Sequence, residues 1–211
     1  MSLQTGTAIG RSDSEVILRP LQSPGSDSDM IDHPHRSIFI HQRKAAGISI
    51  ITALGYLPAQ PEWHLYNDGV LSPGWEQRDK TYLVFSAVRN PFDRLISSWK
   101  YLSSTRDRSL LDCLYNPPVE GIDYRHFTRP QIAILRDPQS GLLITDDLIR
   151  FERLQADFDG ICDRMGRPRQ TLNHHNASPR PRGYRCYFDA EARRLAERMF
   201  AEDLNVFDYE F

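Results

Sequence analysis

Lysine is nearly missing from this chain: of 26 basic residues in 211, only Lys44, Lys80 and Lys100 are lysine. Genomic base composition is the plainest cause of such a skew, although arginine is also the residue that recognises anions through a planar fork. Charge of one sign is not in excess either. A net charge of −2 leaves no global basic field, which argues against DNA or RNA as a partner. Cysteine is scarce, and Cys113, Cys162 and Cys186 show neither metal-ligand spacing nor a secreted disulfide framework, so they read as reduced thiols. No apolar run approaches the roughly eighteen residues of a membrane span, and no basic stretch with an apolar core opens the chain. These absences lead to the expectation of a cytoplasmic protein without a membrane partner. Internal repeats are absent. Asn176-Ala177-Ser178 fits a glycosylation acceptor but is too common a tripeptide to carry weight.

What remains is an ordinary globular composition, 40% hydrophobic, with a core's worth of chain. Residues 1–35 mix Ser, Asp, Gly and Pro without a sustained apolar period and read as a flexible extension, leaving 36–211 as one domain. Ile38-Phe39-Ile40 suits a strand buried on both faces, and Ile48, Ile51 and Leu54 share a helical face that stops at Gly55. A second unit repeats the order. Tyr82 to Val88 forms a strand, and Phe92, Leu95, Ile96, Trp99 and Leu102 recur at helical spacing behind an Asn90 cap, Pro91 at the first helical position and Asp93 in the first turn. Further on, 142–144 and 148–151 suit short strands, and Phe158, Ile161, Cys162 and Met165 a helix face. Residues 190–203 suit a final helix capped by Asp189. Strand and helix in alternation predict an α/β fold with a mostly parallel sheet, flanking helices and ligands beyond the carboxyl ends of the strands.

Two strand ends carry chemistry. The first reads His41-Gln42-Arg43-Lys44-Ala45-Ala46-Gly47-Ile48-Ser49. Its small residues let backbone amides approach an anion, the following helix start adds partial positive charge and Lys44 adds a full one. The Gly-x4-Gly-Lys-Ser/Thr spacing of a nucleoside-triphosphate loop is missing, and no metal set is evident. The second reads Val88-Arg89-Asn90-Pro91-Phe92-Asp93-Arg94-Leu95-Ile96-Ser97. Arg89 and the Ser97 hydroxyl could hold a phosphate there; the plain alternative pairs Arg89 with Asp93 and leaves Ser97 exposed.

Together these segments resemble the carbohydrate branch of the sulfotransferases that use 3′-phosphoadenosine 5′-phosphosulfate (PAPS), and its bacterial relatives. In that branch one strand ends in His-Ile-Pro-Lys-Thr-Ala-Gly-Thr-Ser and a later one in Arg-Asn-Pro-Tyr-Asp-Arg-Leu-x-Ser. The likeness continues through His126-Phe127 with Pro130-Gln131, Phe151-Glu152-x-Leu154, Asn176-x-Ser178 and the ending Asp203-Leu204-x-x-Phe207-x-Tyr209. It implies a sulfotransferase fold akin to P-loop kinases and transfer of a sulfuryl group from PAPS, without a metal, to an acceptor hydroxyl on a carbohydrate or related small molecule, with PAP as product. By the same resemblance Ala45, Ala46, Gly47, Ile48 and Ser49 would hold the 5′-phosphosulfate, and Arg89 and Ser97 the 3′-phosphate. Lys44 would neutralise the leaving oxygen, and Arg182, in the Arg180-Pro181-Arg182-Gly183 loop, would cover the 3′-phosphate.

An acceptor hydroxyl needs a base, and histidine has a suitable pKa. His64 is preferred because it lies between the two motifs, where the uronyl 2-O-sulfotransferases that the chain resembles carry theirs; His126 is the second choice. Trp63, Tyr66, Trp75 and Trp99 could stack on a sugar, although such aromatics are commonly core. Three cradle positions depart from the family: its Pro is Arg43, and two Thr are Ala45 and Ile48. Two hydroxyls are thereby lost, at about 1.5–3 kcal/mol for each bond to a charged group, and Arg43 brings a compensating charge. An inactive PAP-binding or interaction module and a P-loop nucleotide kinase are the alternatives. Oligomeric state leaves no signature.

Overall fold

The computed structural model describes residues 30–32, 34–55, 81–173 and 183–211. Its centre is a four-stranded sheet in the order β1 (Met30–Asp32), β2 (Ser37–Ile40), β3 (Leu83–Val88), β4 (Asp147–Arg150). The last three strands run parallel, with Phe39 beside Phe85 and Phe85 beside Asp147. β1 is antiparallel to β2 and falls inside the stretch read from composition as a flexible extension. Three residues are too few to show a hydrophobic period, so pairing with β2 is what makes them a strand.

Side chains of the parallel strands sort by parity, as a pleated sheet requires. Phe39, Phe85, Ala87 and Ile149 face one way and pack on α1 (Gly47–Leu54) and α6 (Leu154–Met165). Ile38, Ile40, Val84 and Val88 face the other way, against Ile132, Leu135, Ile144 and Phe207. On α1 the buried face holds Ile50, Ile51 and Leu54, while Ile48 is half-exposed, and Gly55 ends the helix in the left-handed conformation at φ 73°. The expected face of α6 is met in full by Phe158, Ile161, Cys162 and Met165.

A separate helical cluster builds on α2 (Pro91–Tyr101), which is capped as expected: the Asn90 side chain accepts a bond from Phe92 N at 3.0 Å, and Pro91 begins the helix. Short helices α3 (Ser103–Arg106), α4 (Leu110–Tyr115) and α5 (Gly121–Phe127) follow. α4, α5 and α7 (Ala190–Met199) pack on α2 through Leu95, Leu110, Phe127, Ala192 and Ala196. The final helix expected over 190–203 is two helices, α7 and α8 (Ala201–Val206), joined at the buried Phe200. The bend lets Phe200 stay in the helical cluster while Phe207 reaches the sheet. A second correction concerns 142–144. Leu143 makes one antiparallel bridge to Arg136 in a tight turn, Leu142 is 70% exposed, and the segment adds no strand to the sheet.

The three cysteines are free thiols. Among the described residues no helix is long and apolar enough to cross a membrane.

The Asp203 carboxylate, fully buried, accepts the amides of Gln131 and Ile132 at 2.8 and 2.9 Å and so anchors α8 to the loop after α5. Asp203→Ala strands both amides away from water, and we expect unfolding free energy to fall by about 2–4 kcal/mol in urea titration with an unchanged slope. A loss below about 1 kcal/mol would refute this anchoring role.

Candidate active site

The carboxyl ends of β2 and β3 lie side by side, and each leads into a helix through one of the two motifs. After β2 the chain turns through residues 43–46, where Lys44 and Ala46 hold φ 65° and 63°, a left-handed conformation unusual for residues with a side chain. Ala46 caps α1 without a side-chain hydrogen bond, so the first-turn amides are not claimed by a Ser, Thr or Asp at the cap. Gly47 is required for space. A methyl group there would collide with the His41 imidazole. Ala45, where the resemblance leads one to expect a threonine, is fully buried in the sheet's core with Phe39 and Ile50.

Arg89 leaves the end of β3, nearly buried. Its Nε and Nη2 donate to Asp93 Oδ2 at 2.9 and 2.7 Å, and its guanidinium lies 3.8 Å from the Phe151 ring centroid. The Asp93 pairing that sequence allowed is therefore present, but Ser97 is buried rather than exposed. Nη1 of Arg89 donates to the backbone carbonyl of Lys44 at 3.0 Å. That bond joins the two motifs directly, across 45 residues of sequence.

The backbone of Arg89 is held by Gln131, whose side-chain Oε1 accepts from Arg89 N and whose Nε2 donates to Arg89 O, both at 2.9 Å. Gln42, in the first motif, donates to Gln131 O at 2.7 Å. Glu152 accepts from Asn90 N at 2.7 Å and from the Tyr209 hydroxyl at 2.8 Å. The Pro130-Gln131, Phe151-Glu152 and Asp203-to-Tyr209 segments thus brace the strand ends.

Lys44 directs its Nζ over the Tyr101 ring, 3.9 Å from the centroid. Tyr101 in turn stacks on His126, with centroids 5.5 Å apart and planes at 27°. The Nδ1 of His126 lies 3.0 Å from Ile122 O and its Nε2 3.2 Å from Arg43 Nη1. A carbonyl only accepts and a guanidinium only donates, which fixes a neutral ring with its proton on Nδ1. Burial, outweighing the Ile122 bond and reinforced by Arg43, Lys44 and Arg94, holds His126 down to about 4. His41 is pushed lower, to about 3, by burial and then by Arg43 and His126. Burial likewise lowers Arg94 and Arg129 to about 10; Arg94 donates to Arg129 O at 2.6 Å and leaves its buried Nε without a partner. His126 is therefore a poor proton acceptor in this arrangement, which weakens it as second choice for the base.

Of the residues singled out from sequence, Lys44, Ala45 and Ala46 lie in the turn after β2, Gly47, Ile48 and Ser49 in the first turn of α1, Arg89 at the end of β3, and Ser97 is buried in α2. His64 and Arg182 lie outside the described residues. Tyr101 was not anticipated; its only signal is that it closes the helix that Asn90 opens. Among the described residues no three His, Cys, Asp or Glu side chains are grouped to hold a metal ion.

Parallel strands with flanking helices make this an α/β protein, with a lysine-bearing turn and an arginine bonded to that turn at its strand ends. Comparison with known families agrees: a model of the sulfotransferase family matches residues 59–210, and the chain belongs to that family. The match includes the Arg89 motif and starts after the Lys44 turn. No curated protein and no solved structure gives a significant match.

Both depressed histidines make stability depend on pH with a definite sign. A ring that resists protonation when folded but takes a proton near 6.5 when unfolded stabilises the fold fully above that value, and the contribution is lost as pH falls towards 4 for His126. Unfolding free energy measured from pH 7 to 4 should therefore drop less in His126→Gln than in the unsubstituted protein. Parallel curves would show that the histidine is not held neutral.

Proposed function

We propose that this protein transfers the sulfuryl group of PAPS to an acceptor hydroxyl carried by a carbohydrate or related small molecule. The observation that carries the reading is the 3.0 Å bond from Arg89 to the Lys44 carbonyl, which sets a guanidinium beside the turn that bears the lysine. Family membership supports sulfuryl transfer, and the fit of the chain's own residues supports the donor. The Lys44 turn leads into a helix start whose first-turn amides no side chain caps, and Arg89 bonds to it from the neighbouring strand end.

Sulfuryl transfer, like phosphoryl transfer, spreads charge over peripheral oxygens during in-line displacement, so positioned cations and amides can do most of the work. Lys44 is assigned to the leaving bridging oxygen, where a compact ammonium follows growing negative charge. Arg89, with Ser97, is assigned to the 3′-phosphate. That phosphate must compete with Asp93 for the guanidinium, and a dianion is the stronger acceptor. His64 is assigned to the acceptor's proton and Arg182 to covering the 3′-phosphate.

Calorimetric titration with PAP, ADP and AMP tests the donor assignment. We expect PAP to bind at least tenfold more tightly than either, Arg89→Ala to erase that preference, and Lys44→Ala to slow turnover by orders of magnitude with PAP affinity nearly kept. Equal affinity for the three nucleotides would refute the proposal. Tighter binding of ATP with magnesium would replace it with a kinase.

A further inference from the structure

We propose that Asp93 is an internal stand-in for the donor's 3′-phosphate: it fills the Arg89 fork while the site is empty, yields to the phosphate, and speeds the departure of PAP by returning. The inference rests on the donor reading above and gives a carboxylate that competes with the phosphate a part in turnover.

Arg89 offers Asp93 one edge of its guanidinium. Nε and Nη2 lie along that edge, and both donate to the single oxygen Oδ2, at 2.9 and 2.7 Å. A phosphate monoester has three terminal oxygens and can give each of the two N–H groups its own acceptor. Local structure turns the carboxylate this way. An acidic side chain in the first turn of a helix can reach back to the amide of the capping residue, but Glu152 takes the Asn90 amide at 2.7 Å, and Asp93 meets Arg89 instead. Arg89 also has supports besides Asp93. Its Nη1 is bonded to Lys44 O at 3.0 Å, its face lies 3.8 Å from the Phe151 ring centroid, and its backbone is held by both ends of the Gln131 amide. The fork therefore keeps its place when the carboxylate swings aside. Asp93 is the more accessible partner, 19% exposed against 5%, and the start of α2 favours its negative charge in either position.

A site that holds PAPS has to release PAP, and both carry the same 3′-phosphate. Sulfuryl transfer leaves that group unchanged, so its bonds to Arg89 are equal before, during and after reaction; they tighten binding without lowering the barrier, and they retain the product. An internal anion weakens this grip equally for donor and product. As PAP loosens, Oδ2 of Asp93 takes back Nε and Nη2, and the buried guanidinium passes from one acceptor to another.

AMP lacks the 3′-phosphate, so calorimetric titration with PAP and with AMP isolates the effect. Asp93→Asn keeps the shape of the side chain and removes its charge. In that variant PAP is expected to bind about tenfold more tightly, labelled PAP chased by excess PAP to leave about tenfold more slowly, and AMP affinity to change by less than about twofold. Asp93→Ser should act in the same direction and serves if the asparagine variant does not fold. A crystal structure of the unsubstituted protein with PAP needs no substitution at all: Nε and Nη2 of Arg89 are expected on the 3′-phosphate, with Asp93 turned away. Weaker or unchanged PAP binding in the variants, an equal gain for AMP, or an Arg89–Asp93 pair intact beside bound PAP overturns the role of Asp93 while leaving the donor reading in place. An unsubstituted protein that does not prefer PAP to AMP overturns both.

Discussion

A side-chain amide imitating a strand holds this site together. Gln131 gives Arg89 the paired donor and acceptor that a neighbouring backbone would give, at the point where the sheet has ended and no strand remains to do so. Its own backbone is fixed from two directions, by Asp203 in α8 and by Gln42 in the first motif. Arg89 can then span to the Lys44 carbonyl, because the strand end it leaves from is as fixed as the sheet behind it. Without the Gln131 clamp, two buried backbone groups of Arg89 would lack partners, and the guanidinium would lose its reference to the turn.

Around that frame several cations are drawn together. Arg94 is 1% exposed and is held by the carbonyls of His126 and Arg129 and by the face of Phe200. Lys44 lies over a tyrosine ring and Arg43 meets a neutral imidazole. Burying a charge carries a desolvation penalty that hydrogen-bonding partners have to offset. Arg89 meets it with Asp93, whose carboxylate fixes the plane of the guanidinium.

Much of this was legible in the sequence wherever one local rule was enough. Asn90-Pro91 announced the start of α2, short apolar runs placed β2 and β3, a helical period placed α6, and a family motif marked Arg89. Legibility failed where a distant partner decides the outcome. Residues 142–144 have strand-like composition but are drawn into a turn closed by Asp137, and α7 is interrupted because Phe200 and Phe207 serve different cores. Tyr101 offers the sequence reader only an exposed aromatic at a helix end; its meaning depends on Lys44 and His126 arriving from elsewhere. Gln131 and Glu152 could be seen as shared motif letters, but that they brace the arginine follows only from the packing.

The left-handed backbone at Lys44 and Ala46 puts the cost of shaping the turn after β2 on the fold itself. Each such residue is disfavoured by about 1–2 kcal/mol relative to ordinary conformations, and burial of Ala45 and the bond from Arg89 hold the strain in place. The turn is therefore shaped by the chain's own packing, so a substitution that loosens Ala45 or Arg89 is felt in the backbone at Lys44 and Ala46.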